Sequence, residues 1–269
     1  MKFVIAPDKF KGSLTGFEFC TAVEKGLVKV FPQAEIIHLP LADGGDGTLE
    51  IAQHHLKGTK IEILVNDPFF RKIKASYVFS KDTEIAYIEM AEASGLKRIA
   101  ENEKNVMRAT SFGTGELILH AIEKGAKHIL LGIGGSATND CGMGMAAALG
   151  YSFLDANGQK LKPIGANLTQ VETIDVSNVQ EKLKNIKFSI ACDVQNPLYG
   201  NEGAAFVYAE QKGASIENIL QLDRGLQHFA NILQQQFGVD CQQINGAGAA
   251  GGVGAGSIVF LNGNLVSGI

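Results

Sequence analysis

Residues 132–144 combine five glycines with several polar side chains, directly after the apolar run 129–131. Glycine lets a backbone approach a ligand closely, and exposed N–H groups at a helix start attract anions. A plain strand-to-helix turn with an Asn or Asp cap is the structural alternative. The packing of polar side chains among the glycines favours a loop that holds phosphate or a carboxylate. The candidate residues are Gly134, Gly135, Ser136, Thr138, Asn139 and Asp140.

Further aspartates have the chemistry for proton transfer or metal binding. Asp43 and Asp46 are spaced three apart within a glycine cluster, where they could hold Mg²⁺ or position a hydroxyl. The cluster lacks the remaining oxygen ligands of an EF-hand loop, and two turn-forming aspartates explain it equally well. Asp193 follows the apolar run 188–192 and is a candidate general base or metal ligand, although a turn before Asn-Pro is the common explanation.

Other polar positions give weaker signals. The Gly/Thr-rich stretch 110–116 opens a helical pattern, so Gly113 and Thr114 are candidates for a second anion-binding turn. The acids Glu89 and Glu92 are spaced i, i+3, and a solvated helix face is expected for them. Neither feature alone indicates a particular reaction.

The segment 246–256 contains a formal G-x-G-x-x-G pattern. A dinucleotide-binding interpretation fails, because no apolar strand immediately precedes it and no acid occurs after Asp240 to hold a ribose. Close helix packing through glycine and a third phosphate-facing turn both remain open. Lys212 could contact phosphate, but a lone lysine in a predicted loop is usually solvated.

The elements that must position these residues alternate between strands and helices. A strand, a helix capped by Thr15 or Ser13 and a second strand open the chain, which is typical of parallel α/β layers. Such sheets bind ligands at the carboxyl ends of their strands. The predicted strands cover residues 3–6, 34–39, 60–65, 72–79, 83–89, 127–131 and 188–192, and the later helices cover 48–55, 116–124, 143–149 and 215–237.

The composition excludes several classes of protein. The chain of 269 residues has a net charge of −4 and no dense Lys/Arg cluster, which argues against nucleic-acid and anionic-membrane partners. Four cysteines lie far apart with no C-x-x-C pair, so a cytoplasmic protein without a disulfide framework is expected. The first apolar run is too short for a signal peptide or a membrane span.

Several motifs, taken together and in this order, strongly resemble the bacterial glycerate kinase family. They are Ala6-Pro7-Asp8, Phe10-Lys11-Gly12-Ser13, Ala42-Asp43-Gly44-Gly45-Asp46-Gly47-Thr48, Gly113-Thr114-Gly115-Glu116, Gly132-Ile133-Gly134-Gly135-Ser136-Ala137-Thr138-Asn139-Asp140, Ala191-Cys192-Asp193, Gln211-Lys212-Gly213 and Gly246-Ala247-Gly248-Ala249-Ala250-Gly251-Gly252. The resemblance implies an ATP- and Mg²⁺-dependent kinase that phosphorylates D-glycerate, most often to 2-phosphoglycerate.

The resemblance also implies a two-domain α/β architecture with the active site between the domains. A Rossmann-like α/β layer would begin in residues 1–67, and a second, mixed α/β domain with the Gly-rich loops would occupy 68–269. Lys9 and Cys141 depart from the residues usual in the family. The family continues beyond the point that matches residues 266–269, so a truncated chain with an incomplete first layer is expected. A homodimer is left open.

The leading interpretation is phosphoryl transfer, in which positioning and charge stabilisation do most of the work. Asp193 is the first candidate for the base or Mg²⁺ ligand; Asp43, Asp46 and Asp140 compete for these roles. Lys11, with Ser13, would neutralise the transferred group or bind glycerate, and Asp8 would contact substrate. The catalytic candidates are Asp193, Lys11 and Asp46, and the metal candidates are Asp193 and Asp43.

A second interpretation is a folded fragment that binds a nucleotide or a small hydroxy acid without turning it over. It is motivated by the family motifs expected beyond residue 269. A dehydrogenase that uses the tail glycines is disfavoured, because the ribose-binding acid is absent.

Overall fold

The computed structural model describes residues 1–7, 13–41 and 48–267. The described residues form two compact units, one within 1–41 and one comprising 48–267. Asp8, Lys11, Asp43 and Asp46 lie outside the described residues. The roles expected for these four side chains therefore stay predictions.

The first unit is a strand, a helix and a second strand, as the sequence predicts. β1 (Lys2–Ile5) and β2 (Glu35–His38) pair in parallel, connected through α1 (Gly16–Val30). The Thr15 hydroxyl accepts a hydrogen bond from the Glu18 N–H, and the Glu18 carboxylate accepts one from the Thr15 N–H. This reciprocal cap fixes the start of the helix. It confirms Thr15 as the cap.

The second unit is built on a six-stranded mixed sheet. The strands of this unit are β3 (Thr59–Asn66), β4 (Lys72–Ser80), β5 (Ile85–Glu89), β6 (His128–Gly132), β7 (Ser152–Leu154), β8 (Thr173–Asp175), β9 (Lys187–Ala191) and β10 (Asn264–Val266). The order in the sheet is β10-β9-β6-β5-β4-β3. Neighbouring strands from β10 to β5 pair in parallel, whereas β4 pairs antiparallel with both β5 and β3. A separate hairpin pairs β7 with β8.

The helices of the second unit pack around one large apolar core, and a smaller, separate cluster joins Leu49 of the first helix of this unit to Val78 and Tyr87 of the sheet. Most occupy the predicted positions, which confirms the α/β fold class. The expected domain boundary near residue 67 stays a prediction, although the pairing of β3 with β4 assigns residues 59–66 to the second unit. The helices are α2 (Thr48–Leu56), α3 (Ala91–Ser94), α4 (Phe112–Glu123), α5 (Met143–Ala148), α6 (Ala204–Tyr208), α7 (Ile216–Phe237) and α8 (Ala249–Leu261).

Two helices begin in glycine-rich segments, where the sequence pattern does not predict a helix start. α4 begins at Phe112 rather than at Glu116, and the unpredicted α8 begins within the glycine-rich tail. Glycine lowers helix propensity. Here it is required by packing, because a methyl group on Gly113 would overlap the Asn66 carbonyl oxygen. Tertiary contact therefore overrides local preference.

Candidate active site

The carboxyl ends of the parallel strands bring the main candidates to one edge of the sheet. Glu89 of β5 pairs with Gly132 of β6, and Gly132 pairs with Ala191 of β9. Neighbouring strands lie about 4.8 Å apart. The loop that follows Gly132 therefore begins between the buried Glu89 carboxylate and the segment that carries Asp193.

The loop after β6, within residues 132–144 and called the central loop below, has an exposed tip and a buried base. Gly134 and Gly135 are exposed, whereas Ser136 and the following residues through Asp140 are buried. Gly135 has a φ of 69°, in the left-handed region that favours glycine. The Leu96 N–H donates to the Gly135 carbonyl at 2.9 Å, which anchors the tip against the segment after α3. An open glycine backbone is thus held on a fixed support.

Asp140 closes the base of this loop. Its fully buried carboxylate accepts hydrogen bonds from the Ser111 N–H, the Ser111 hydroxyl and the backbone N–H groups of Gly142 and Gly144. Burial raises the pKa of Asp140 above its ordinary value, and these hydrogen bonds oppose the rise. The arrangement suits a structural anchor, while the ligand role expected for Asp140 stays a prediction.

A carboxylate of the protein itself, that of Asp140, occupies the start of α4. The Asp140 carboxylate binds the Ser111 N–H immediately before the helix. Gly113 and Thr114 are buried, and the Thr114 hydroxyl donates to the Ser94 hydroxyl at 2.8 Å. Their expected phosphate contacts stay predictions that this packing does not favour.

Lys212 is buried, contrary to the solvated position expected from the sequence. Only 3% of the residue is exposed, and its ammonium donates to the Ser136 hydroxyl oxygen at 2.9 Å and to the Thr138 carbonyl at 2.7 Å. Burial lowers the pKa of Lys212 to about 7, and the nearby Asp140 opposes this shift. The sequence did not reveal this contact, because the lysine lies more than 70 residues from the loop.

Glu89 and Glu92 also depart from the solvated face expected for them. Glu89 is 2% exposed and accepts a hydrogen bond from the Leu49 N–H at 2.6 Å, at the start of α2. Glu92 binds Lys97 and Arg98 at 2.7 and 3.0 Å. Glu89 is the last residue of β5 and Glu92 lies in α3, which begins only at Ala91, so the two acids do not share one exposed helix face. Glu89 is thus a carboxylate at the sheet edge that the sequence analysis did not select.

Asp193 and Ser13 are the remaining described candidates. Asp193 lies two residues beyond the end of β9 and is exposed, at the same carboxyl edge as Glu89. Ser13 is exposed and precedes the Thr15 cap of α1. Their proposed roles in the reaction stay predictions.

The glycine-rich tail packs against the central loop. Ala250, Gly251 and Gly252 adopt left-handed backbone angles inside α8, and a methyl group on Gly251 would overlap the Thr138 carbonyl oxygen. The Cys141 N–H donates to the Gly251 carbonyl at 3.0 Å. Of the two explanations left open for the tail, close packing is the one observed.

Some buried polar atoms of the loop lack a hydrogen-bond partner among the described residues. They are the Thr138 hydroxyl and both amide atoms of Asn139, and both residues are fully buried. Buried polar groups are normally paired with protein or ordered water. These atoms are therefore candidates for binding water or ligand.

Oxygen donors at the sheet edge match the chemistry of Mg²⁺. This ion prefers oxygen ligands and commonly binds one or two carboxylates together with substrate phosphates. Glu89 and Asp193 supply carboxylates at the ends of β5 and β9. Within residues 1–7, 13–41 and 48–267, no group of three or more His, Cys, Asp or Glu side chains is arranged to hold a metal.

The mixed sheet carries a Gly-rich loop, a buried lysine and carboxylates at the carboxyl ends of its parallel strands, an arrangement that is typical of α/β enzymes. The chain belongs to the glycerate kinase family, whose model matches residues 3–269.

Named relatives match the whole chain. It is 47% identical to a glycerate kinase from Bacillus cereus (strain ATCC 10987 / NRS 248) and 45% identical to a glycerate 2-kinase from Escherichia coli K12, each over 269 residues. Both alignments cover 100% of this chain and 71% of the relative. A Salmonella typhimurium LT2 crystal structure, assigned as glycerate kinase 2, aligns with a TM-score of 0.95 at 43% identity. That alignment covers 100% of this chain and 72% of the other.

None of the helices within the described part of the chain is long and apolar enough to cross a membrane.

Proposed function

We propose that this chain transfers the γ-phosphoryl group of ATP to D-glycerate and that 2-phosphoglycerate is the product. The observation that carries this proposal is the exposed Gly134–Gly135 backbone at the carboxyl edge of the sheet, with the Lys212 ammonium behind it. Membership of the glycerate kinase family supports the assignment of the reaction. The preference for the 2-hydroxyl follows the name of the Escherichia coli relative, a glycerate 2-kinase.

In the proposed reaction the loop stabilises charge, and a carboxylate at the sheet edge accepts a proton. The hydroxyl oxygen of glycerate attacks the γ-phosphorus, the bond from that phosphorus to the bridging oxygen breaks, and ADP leaves. Asp193 accepts the hydroxyl proton. The backbone N–H groups of the 134–136 turn and the Lys212 charge stabilise an anionic group of the bound substrates.

Mg²⁺ would neutralise charge on the phosphates when bound. Glu89 and, as the alternative to its role as base, Asp193 are the described residues that we propose to hold it, with Asp43 as a further candidate. Lys11, Asp46, Asp8 and Ser13 retain their proposed roles at the transferred group and the substrate. Because all four cysteines are free, a reducing cytoplasm is the compartment that we propose.

An assay of ADP release tests this proposal. Purified chain would be mixed with ATP, Mg²⁺ and D-glycerate, and each component would be omitted in turn. We expect ADP formation that depends on all three. A folded chain that binds ADP or D-glycerate in calorimetry but releases no ADP would instead support a binding fragment without turnover.

A further inference from the structure

The Lys212 ammonium occupies the inner side of the central loop. It donates to the Ser136 hydroxyl oxygen and to the Thr138 carbonyl, so it joins two points on either side of Ala137. The turn that carries Lys212 ends at Gly213, whose φ of 89° and close packing on the Lys104 backbone fix its course. The position of the ammonium is therefore set by the fold.

The hydrogen bond between Lys212 and Ser136 has a defined donor and acceptor. In its charged form Lys212 has three donors and no acceptor, so the Ser136 oxygen accepts this hydrogen bond from the ammonium. The hydroxyl proton of Ser136 must then point to a different group. Among the described residues, no hydrogen bond uses this hydroxyl as its donor. Ser136 adjoins the exposed Gly135, where a ligand can approach.

We propose that Lys212 is a positioning residue that holds the Ser136 hydroxyl as a hydrogen-bond donor to an oxyanion of the substrate bound at Gly134–Gly135. The inference rests on the proposed function and adds a specific recognition group to it. The oxyanion is either the carboxylate of glycerate or a phosphate of ATP. Both have the same acceptor chemistry, and titration of each substrate distinguishes them.

The electrostatics of the site agree with this role. Burial disfavours the charged ammonium, and the Asp140 carboxylate favours it. An anion bound at the adjacent turn would favour it further. Loop shape, hydroxyl orientation and positive charge would thus act together when the ligand binds.

The test compares Lys212→Met and Ser136→Ala with the wild type. Ser136→Ala removes the hydroxyl donor itself, and Lys212→Met removes the ammonium that orients it. Because a hydrogen bond to a charged group is lost, we expect each to raise the KM of the same substrate, D-glycerate or ATP, by about tenfold or more. The KM of the other substrate should stay within about twofold. Lys212→Met should have a much smaller effect in the Ser136→Ala background.

Lys104→Met is the matched control. Its ammonium pairs with the exposed Glu101, and its backbone packs against Gly213 in the same region. We expect wild-type KM values for this variant. Folding of every variant would be checked by circular dichroism, and Ser136→Ala carries the test alone if Lys212→Met does not fold.

Calorimetric titration with D-glycerate and with ATP, each in the absence of the other substrate, separates this inference from the proposed function. A wild-type chain without turnover would contradict the proposed function, while a tenfold weaker affinity of Ser136→Ala for one ligand would still support the orientation of the hydroxyl. The inference is overturned if a folded Ser136→Ala binds both ligands as the wild type does. It is also overturned if Lys212→Met and Ser136→Ala weaken different ligands.

Discussion

Asp140 Oδ2 accepts hydrogen bonds from both the backbone N–H and the hydroxyl of Ser111, each at 2.8 Å. The same hydroxyl oxygen accepts a hydrogen bond from the Met145 N–H at 2.9 Å. One carboxylate and one hydroxyl therefore join the central loop to the starts of α4 and α5. This network fixes the base of the loop whose tip we propose to bind substrate.

Asp140→Asn should destabilise the protein by about 2–3 kcal/mol, because the amide group cannot accept all the hydrogen bonds that converge on the carboxylate and leaves buried donors unpaired. Urea unfolding of the variant and the wild type measures the difference. Asp155→Asn is the control, since Asp155 Oδ1 also accepts two backbone N–H groups but in an exposed turn. Equal losses in the two variants would contradict the special role of the buried network.

Gly251→Ala should destabilise the protein by more than about 3 kcal/mol, because backbone strain and overlap with the Thr138 carbonyl oxygen act together. Gly238→Ala is the control that measures the cost of backbone strain without steric overlap. Gly238 has a similar φ of 73°, and a methyl group there would meet no atom within 4 Å, so a cost of about 1–2 kcal/mol is expected. Thermal or urea unfolding would show whether the two variants differ.

Asp193→Asn should lower kcat by about two to four orders of magnitude if Asp193 is the general base. Steady-state assays with saturating ATP and D-glycerate measure this effect, and circular dichroism verifies the fold. Asp175→Asn, at the end of β8, provides a control outside the proposed machinery. Near-normal turnover by Asp193→Asn would remove Asp193 from the role of base.

Lys212 should make the free energy of unfolding of the protein depend on pH. Its folded-state pKa of about 7 lies below the ordinary value of 10.5, so the unfolded chain binds more protons between these values. The free energy of unfolding should therefore rise with pH from about 7 toward 10.5, relative to a chain without this lysine.

Lys212→Met is the comparison for this pH dependence. Between pH 7.5 and 9 the wild type should gain about 1 kcal/mol per pH unit relative to the variant, measured by urea unfolding. Lys104→Met, whose ammonium is paired near the surface, should follow the wild type. Parallel pH profiles for the wild type and Lys212→Met would mean that the buried ammonium keeps an ordinary pKa.

Much of the fold follows from local pattern. The Thr15 cap, the strands β3, β4, β5, β6 and β9 of the sheet, and α7 each have a short-range signal in apolar spacing or capping residues, whereas β10 has none. The start of α4 and the whole of α8 have no such signal. Their glycines are present because backbone atoms from distant segments approach them, and a sequence alone does not state which segments meet.

The same distinction applies to the candidate site. The loop 132–144 is visible as glycines and polar residues after an apolar strand. The burial of Glu89 and Lys212 cannot be read from the sequence. The burial of Glu89 depends on the register of β5 with β6, and that of Lys212 depends on a contact across more than 70 residues. A charged side chain next to a turn is usually solvated, and only the tertiary fold changes that outcome.

³¹P NMR of a reaction that contains this 269-residue chain, ATP, Mg²⁺ and D-glycerate tests the proposed phosphoryl transfer most directly. We expect the ATP resonances to give way to those of ADP and 2-phosphoglycerate, with no product when D-glycerate is omitted. Folded chain that leaves ATP intact, or that releases only inorganic phosphate, would show that it does not phosphorylate D-glycerate.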